Sequence, residues 1–345
     1  MLIPFEIDTD SFEDLRNNTI SISSKASHDH VLDLWLKSGI LTYNGDSFNH
    51  SVIFNSINTL PASLKSKWLQ AIQKYPLIKS SAIEWDGQVN KDLINKIKDK
   101  PIVLIVDETK AYVDFGVPEG DYSIIDEKNQ IEVIKFPHIS HSSFFKKAQE
   151  KSNSHFKRNE NFKTLWLERF HWLTAAENIK NIAIIDRYAL ENHVKWDVKQ
   201  GLSGLERFLK FVDNSATSIK NIKLYTAWFN NPNGQLNFQV QEEFKKSIEL
   251  ILKNLSNKKI IRISVHILHP KDISEESHAR HIRFGDMHVW ELDKGLSCFS
   301  GNVSCKSKLT ATLKTGLRTT SEYIQKESEL ESINKKAHLK FEIKI

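Results

Sequence analysis

The sequence predicts an α/β protein with two domains, and three observations lead to this prediction. The chain has 345 residues, more than one ordinary domain usually contains. Apolar, β-branched runs of strand length alternate with segments of helical periodicity. A polar, lysine-rich stretch at 146–161 separates two such series. We therefore expect an N-terminal α/β domain over residues 1–150 and a C-terminal α/β sandwich over residues 160–345.

In the N-terminal domain, the first predicted element is a strand over residues 2–7. Helical periodicity follows at 31–36 and 64–72. The run 101–106 is apolar on both faces, which is typical of a parallel strand covered by helices. Short strands and turns are expected between residues 113 and 134.

The C-terminal domain is predicted to alternate helices with strands and to end in a hairpin. The predicted helices are 165–175, 204–212 and 240–255, and the strands are 182–185, 222–229 and 260–268. Two alternating runs, 279–284 and 288–292, then flank a Gly-Asp pair, which indicates a β-hairpin.

Composition limits the possible classes of protein. With 40% hydrophobic and 26% charged residues, the chain can build a sizeable core. A net charge of +5 is compatible with nucleic acid or anionic lipid and requires neither. Two cysteines are too few for a disulfide framework or a four-cysteine zinc site. Since there is no apolar run of about 18 residues, we expect a cytoplasmic protein without a membrane span.

The hairpin carries the first candidate site. His278 and Arg280 are two residues apart on its first strand and are expected to point to the same face. After the second strand, Gly295-Leu296-Ser297 offers a tight turn whose backbone N–H groups could approach an anion. A histidine, a cation and a small-residue turn that converge on one point are what a phosphodiester or anion site needs.

These residues resemble the phospholipase D-like superfamily, whose catalytic repeat is His-x-Lys-x4-Asp followed by a Gly-Ser turn and an Asn. His278-x-Arg280 takes the place of His-x-Lys, and Asp286 comes one position later than the aspartate of the repeat. The stretch Gly295-Leu296-Ser297 with Asn302 takes the place of the turn and the Asn.

The chain is more similar to the phospholipase D-like domain that ends proteins with a microtubule-interacting-and-trafficking module. That family has a His-Asp-Arg strand and a Gly-Leu-Asp-Tyr-Phe-type turn, which correspond here to residues 278–280 and 295–299. Its Asp-x-Tyr at the end of an early strand corresponds to Asp186-Arg187-Tyr188. The resemblance covers roughly residues 165–302 and implies a place in bacterial antiviral conflict systems, with a partner protein encoded nearby.

The resemblance also implies roles for individual residues. His278 would attack phosphorus, Arg280 would stabilise the developing charge, and Ser297 would complete the catalytic set. The anion-binding residues would be Gly295, Asn302, Asp186 and Tyr188. Because the chain holds one copy of the motif, catalysis would require a homodimer. The eukaryotic relatives are regarded as non-catalytic binders, so an anion-binding or dimerisation fold is the alternative.

A second candidate site lies in the N-terminal domain, where acidic residues follow two predicted strands. Asp8 and Asp10 follow the first strand, and Asp107 and Glu108 follow the run 101–106. Carboxylates at the ends of neighbouring parallel strands could bind Mg²⁺ for attack of water on a phosphodiester. Residues 5–12 resemble the opening strand of a PIN-type nuclease, which ends in an Asp. The alternative is that acids follow strands because helix N-termini favour them.

Two main functions remain open, and a membrane-surface module, by analogy with the eukaryotic relatives, is a third. One is a nuclease or nuclease-like effector of prokaryotic antiviral defence that acts on DNA or RNA through either site. The other is a non-catalytic sensor or adaptor whose C-terminal domain binds nucleic acid, an anionic ligand or a partner protein.

Overall fold

The computed structural model describes residues 1–15, 22–79, 102–228, 238–273, 280–306, 308–333 and 339–344. The fold is mixed α/β, as the sequence predicts. The chain divides into two compact units. Unit 1 comprises residues 1–151 and 176–178, and unit 2 comprises residues 152–175 and 179–345.

Unit 1 is built on a six-stranded sheet in the order β3-β2-β1-β4-β6-β5. The first five of these strands run parallel, and β5 is antiparallel to β6. The strand order reverses between β1 and β4: strands β2 and β3 are added on one side of β1, and the chain then crosses to the other side of β1 to form β4. The strands are β1 (Ile3–Ile7), β2 (Gly39–Tyr43), β3 (Leu77–Lys79), β4 (Ile102–Val106), β5 (Ser123–Asp126) and β6 (Ile131–Lys135).

The central strands of this sheet are buried on both faces. Every residue of β1, β2, β4 and β6 is buried, as the double-sided apolar run at 101–106 predicts for a strand between helix layers. The described helices of this part of the chain are α1 (Ile22–Ser38), α2 (Val52–Thr59), α3 (Ala62–Lys74), α4 (Glu108–Val113) and α5 (Ser143–Ser152).

Unit 2 contains a seven-stranded sheet in the order β12-β11-β10-β7-β8-β9-β13. Strands β7, β8 and β9 are parallel, and the outer strands pair antiparallel. The predicted hairpin is present, and its turn contains Gly285 at φ +58°. The strands are β7 (Asn181–Ile185), β8 (Lys220–Ala227), β9 (Ile260–Leu268), β10 (Arg280–Phe284), β11 (His288–Leu292), β12 (Ala311–Thr315) and β13 (Leu339–Lys344).

The helices of unit 2 differ from the prediction in one place. The single helix expected over 165–175 is two short helices, because the chain turns at Phe170, where the first one ends. Aromatic side chains from this region and from the next long helix pack together in the core, as their helical spacing indicates. The helices are α6 (Phe162–Arg169), α7 (His171–Ala175), α8 (Ala189–Val194), α9 (Gly204–Ser215), α10 (Phe238–Lys253) and α11 (Leu317–Ser332).

None of the helices in the described part of the chain combines the length and the apolar character needed to cross a lipid bilayer.

Candidate functional site

The strongest candidate site lies at the carboxyl ends of β1 and β4. The backbone N–H of Asp8 donates to the carbonyl of Ile105 (2.8 Å), which ties the end of β1 to β4. Helix α4 begins directly after β4 and carries Lys110 to this point. The ammonium nitrogen of Lys110 lies 2.5 Å from Asp8 Oδ2 and 3.5 Å from Asp10 Oδ2. We name Asp8, Asp10 and Lys110 the carboxylate–lysine site.

This site occupies the position at which open α/β sheets bind ligands. In such sheets the crevice opens outside the carboxyl ends of the strands, where the strand order reverses. In unit 1 that reversal falls between β1 and β4. The placement follows from the topology and is independent of any sequence resemblance.

The charges of the site are partly shielded from water. Asp8 is fully buried, and burial raises the pKa of its carboxyl group although Lys110 and the backbone N–H of Asp10 favour the ionised form. Burial acts to lower the pKa of Lys110, but Asp8 and Asp10 outweigh it and the pKa is raised. Lys110 is therefore a fixed positive charge at neutral pH. The side chain of Asp10 is 35% exposed and gives the site its contact with solvent.

Asp107 and Glu108 have other partners. Asp107 caps helix α4, and its Oδ1 accepts from the backbone N–H groups of Thr109 (2.8 Å) and Lys110 (3.1 Å). Glu108 Oε1 lies 3.5 Å from His138 Nε2. The capping role of Asp107 is the alternative to a metal site that the sequence left open, since helix N-termini favour acidic residues.

The described residues include no group of three or more His, Cys, Asp or Glu side chains arranged to hold a metal ion. The structure thus brings Asp8 and Asp10 to one cation and does not bring Asp107 and Glu108 to the same point. Two carboxylates match the one or two that commonly bind Mg²⁺ together with substrate phosphates, but the Lys110 ammonium contacts both, so a Mg²⁺ ion would have to displace it. Asp8 and Asp10 would hold the ion, and the ion would supply Lewis-acid chemistry.

In unit 2, four of the residues predicted at the C-terminal site lie together. Arg280 begins β10, and its Nε lies 3.8 Å from Asp186 Oδ1 at the end of β7. Its Nη1 donates to the carbonyl of Asp293 (2.9 Å), and its guanidinium carbon lies 4.9 Å from the ring centre of Tyr188. The residues Asp186, Tyr188, Arg280 and Gly295 form what we name the Arg280 cluster.

The Asp186 carboxylate fills the turn that the sequence assigned to an external anion. It is 1% exposed and accepts from the backbone N–H groups of Leu296 (2.8 Å) and Tyr188 (3.0 Å). Gly295 has φ +52°, and a Cβ at that position would lie 2.3 Å from Asp186 Oδ2. Burial raises the pKa of Asp186 against the effect of these two N–H groups and of Arg280. The turn and the guanidinium thus already have an internal anion as partner.

The remaining predicted residues of that site have other environments. The Ser297 hydroxyl donates to the carbonyl of Lys294 (2.6 Å) inside a 3-10 helix, Gly295–Phe299. Asn302 is exposed, and its carbonyl accepts from Arg207 (3.0 Å), so it belongs to a contact with a different segment. His278 lies outside the described residues, and its pairing with Arg280 stays a prediction.

A further polar feature of unit 2 has no signal in the sequence. His193 bridges two serines, with Nδ1 2.6 Å from Ser203 Oγ and Nε2 2.7 Å from Ser247 Oγ. Burial lowers the pKa of His193, which favours the neutral ring. These three side chains line a cavity of about 400 Å³ together with Trp196 and Glu243. The serines are 10 and 54 residues away from the histidine in the sequence, so no local sequence motif predicts this arrangement.

Comparison with known proteins adds no assignment. No protein-family model matches the sequence, and no curated protein is significantly similar to it. The proposals below depend on the geometry and on the resemblances given above.

Proposed function

We propose that this protein is a nuclease or nuclease-like effector that acts on nucleic-acid phosphodiesters, and that the carboxylate–lysine site of unit 1 is its reaction centre. The observation that carries the proposal is that Asp8 and Asp10 flank one cationic centre where the strand order of the sheet reverses. The resemblance of residues 5–12 to the opening strand of a PIN-type nuclease supports the same assignment.

The three side chains have distinct roles in this proposal. The ammonium group of Lys110 binds a phosphate oxygen and offsets the negative charge that grows on it during displacement. Buried Asp8 holds Lys110 in place through the 2.5 Å ion pair. Asp10 reaches solvent and orients the attacking water or accepts its proton.

The test is cleavage of labelled single-stranded and duplex DNA and RNA, with Mg²⁺ or with EDTA. We expect the variant Asp8→Asn/Asp10→Asn to lose activity by about 100-fold or more, in the range measured when one charge-stabilising group is removed from an active site. The matched control is Asp33→Asn/Asp46→Asn, which removes two exposed carboxylates of unit 1. Equal activity of the two double variants would show that the reaction centre is elsewhere. Sensitivity to EDTA would assign the role of Asp8 and Asp10 to a metal.

For unit 2 we propose a phospholipase D-like domain of the type that ends proteins with a microtubule-interacting-and-trafficking module. The support is that Asp186, Tyr188, Arg280 and Gly295, which carry the resemblance, form one cluster. Antiviral defence, a partner protein encoded nearby and a homodimer are proposed from this resemblance alone.

A second function, a non-catalytic sensor or adaptor, is supported by the environment of Asp186. Because this carboxylate takes the donors that a substrate phosphate would need, the Arg280 cluster suits a structural or binding role better than catalysis. If the wild-type protein binds nucleic acid with a strong salt dependence and never cleaves it, the adaptor function replaces the nuclease.

A further inference from the structure

One face of the sheet in unit 2 carries many cations. Residues paired across neighbouring strands share a face, and the pairs Lys223–Ser264 and Ser264–Glu342 place β8, β9 and β13 in one row. The pairs Arg283–Ala183 and Ala183–Lys223 extend the row to β10. On the described strands, the Lys and Arg side chains of this face, which we name the basic face, are Lys223, Arg262, Arg283, Lys314, Lys340 and Lys344, and its acids are Glu291 and Glu342.

The opposite face of the same sheet is an ordinary apolar core. Leu224, Val265 and Phe341 alternate with the residues of the basic face and are buried or partly buried. Phe341 packs edge-on against Phe244 of α10, with ring centres 6.4 Å apart. The Lys and Arg side chains are therefore concentrated on one face of the sheet, and the other face packs against helices through apolar side chains.

Helix α11 lies across part of the basic face, where Leu330 packs in a small apolar cluster with Ile185, Tyr225 and Leu268. Its carboxylates also contact the cations of this face. Arg283 and Glu327 form a two-point ion pair, with Nε–Oε1 at 2.7 Å and Nη2–Oε2 at 2.5 Å. Glu331 Oε1 accepts from Lys223 (2.8 Å) and from the hydroxyl of Tyr225 (2.6 Å). The buried residues of α11 are Thr320, Glu327 and Leu330, of which one is apolar.

A buried histidine of the sheet, His281, also faces α11. It is 1% exposed, and neither ring nitrogen has a hydrogen-bond partner among the described residues. Its nearest acid is Glu327, with Nε2–Oε1 at 4.0 Å, and Tyr323 of α11 stands edge-on at 4.8 Å between ring centres. Burial acts to raise the pKa of Glu327, but the hydrogen bonds and the charge of Arg283 outweigh it and the pKa is lowered. Glu327 is therefore an anion held over this face.

An Arg–carboxylate pair of this kind has the same two-point geometry as an Arg–phosphate pair. The Lys223–Glu331 pair is half-exposed, and an exposed ion pair contributes little net stability. An external phosphate can therefore displace Glu331 from Lys223 at a modest free-energy cost. Lys223, Arg262 and Lys340 are exposed cations of this face. Lys223 pairs with Glu331 (2.8 Å) and Arg262 with Glu342 (3.4 Å), so a phosphate bound there would replace these exposed ion pairs.

We infer that the basic face of unit 2 binds the phosphate backbone of nucleic acid, and that the carboxylates of α11 occupy part of this surface as an internal competitor. The inference depends on the proposed function in that nucleic acid is the ligand. A lipid surface fits less well. On the described strands of this face, no large apolar side chain is exposed that could insert into a membrane.

The experiment measures binding of a fluorescent single-stranded oligonucleotide by anisotropy at several salt concentrations. All proteins carry Asp8→Asn/Asp10→Asn, so that cleavage does not consume the probe. We expect Lys223→Ala/Arg262→Ala/Lys340→Ala to weaken binding at least about 10-fold and to reduce the salt slope by roughly 2, as expected for about three lost phosphate contacts. The matched control is Lys245→Ala/Lys246→Ala/Lys253→Ala on α10, which packs on the opposite face.

A second pair of variants tests the role of α11. Glu331→Gln removes one carboxylate from the basic face without leaving Arg283 unpaired, and we expect it to tighten binding several-fold. Glu329→Gln makes the same charge change on the exposed side of the helix and should have a smaller effect. Equal effects of these two variants would overturn the competitor role of α11.

If the triple variant of the basic face and the triple lysine variant of α10 lost affinity equally, the proposed binding surface would be overturned. Binding to vesicles that contain phosphatidylserine, without binding to the oligonucleotide, would also overturn the inference in favour of a membrane. The two proposals can fail separately. Lack of cleavage by the wild-type protein would overturn the reaction centre in unit 1 and leave the binding proposal standing. The binding measurements test the basic face of unit 2 only.

Discussion

Asp8 in unit 1 and Asp186 in unit 2 occupy comparable positions, and their environments differ. Each follows a buried parallel strand, and each carboxylate is almost completely buried near a cation. Asp8 has the ammonium group of Lys110 at 2.5 Å as its main partner. Asp186 has two backbone N–H groups at 2.8 and 3.0 Å, and its cation, Arg280, lies at 3.8 Å.

This difference separates a site that can exchange ligands from one that is closed. Next to Asp8, Asp10 opens the ion pair to solvent. Next to Asp186, Gly295 approaches so closely that no side chain fits between them. Both units thus have an aspartate after a buried strand. In unit 1 it belongs to a candidate reaction centre, and in unit 2 it makes a buried structural contact.

The largest expected effect comes from the close approach at Gly295. Gly295→Ala places a Cβ 2.3 Å from Asp186 Oδ2 and also forces a non-glycine residue to φ +52°. We expect more than about 4 kcal/mol of destabilisation, the range of severe core lesions. Gly285→Ala is the control, because Gly285 has a similar φ of +58° but its nearest neighbour is at an ordinary 3.7 Å. It should lose about 1–2 kcal/mol, the strain of the backbone alone. Urea unfolding of the two variants measures the difference, and equal losses would mean that Asp186 is not tightly enclosed.

The second prediction compares the two cations. Lys110→Met removes the cation that lies 2.5 Å from the buried Asp8 carboxylate, and we expect about 3–5 kcal/mol of destabilisation. Arg280→Met leaves Asp186 with both of its backbone N–H bonds, so the loss should be about 1–2 kcal/mol. Chemical denaturation of both variants provides the measurement. A larger loss for Arg280→Met would reverse our interpretation of the two sites.

Much of the secondary structure follows from hydrophobic patterning, and the partners of polar side chains do not. The hairpin and the buried strand β4 could be predicted because alternation and double-sided apolar runs are local properties. Lys110 is about one hundred residues from Asp8 and Asp10, so only the fold shows that they meet. For the same reason, the sequence could not tell that Asp107 caps a helix while Asp8 forms an ion pair.

Helix α11 and the basic face were not anticipated, because their pattern departs from the usual rule. A helix that packs on a sheet normally presents an apolar stripe, and that stripe is the signal used in prediction. In α11 the inward positions include Glu327 and Glu331, whose partners Arg283 and Lys223 lie on distant strands. Residues that violate local rules are frequently functional, which adds weight to a binding role for this face.

A third buried carboxylate, Glu6 of β1, extends the comparison to a group without a cation. Glu6 is 1% exposed, and its Oε2 has no hydrogen-bond partner in the described part of the chain. Burial raises the pKa of Glu6 from 4.5 to about 7, against a hydrogen bond from Thr42. Asp8 and Asp186 each have a backbone N–H group and a nearby cation as partners, whereas among the described residues Glu6 has only a hydroxyl to compensate for lost hydration.

The third prediction is a pH dependence of stability that comes from Glu6. The folded state holds the Glu6 proton more tightly than the unfolded state, so the contribution of Glu6 to stability is fully present below pH 4.5 and is lost as the pH rises through about 7. The difference corresponds to about 3 kcal/mol. Glu6→Gln should remove this contribution and be more stable than the wild type at pH 8, as measured by urea unfolding across this pH range. The exposed control Glu119→Gln should keep the wild-type profile. If Glu6→Gln also keeps it, Glu6 is ionised in the folded state and must have a cationic partner after all.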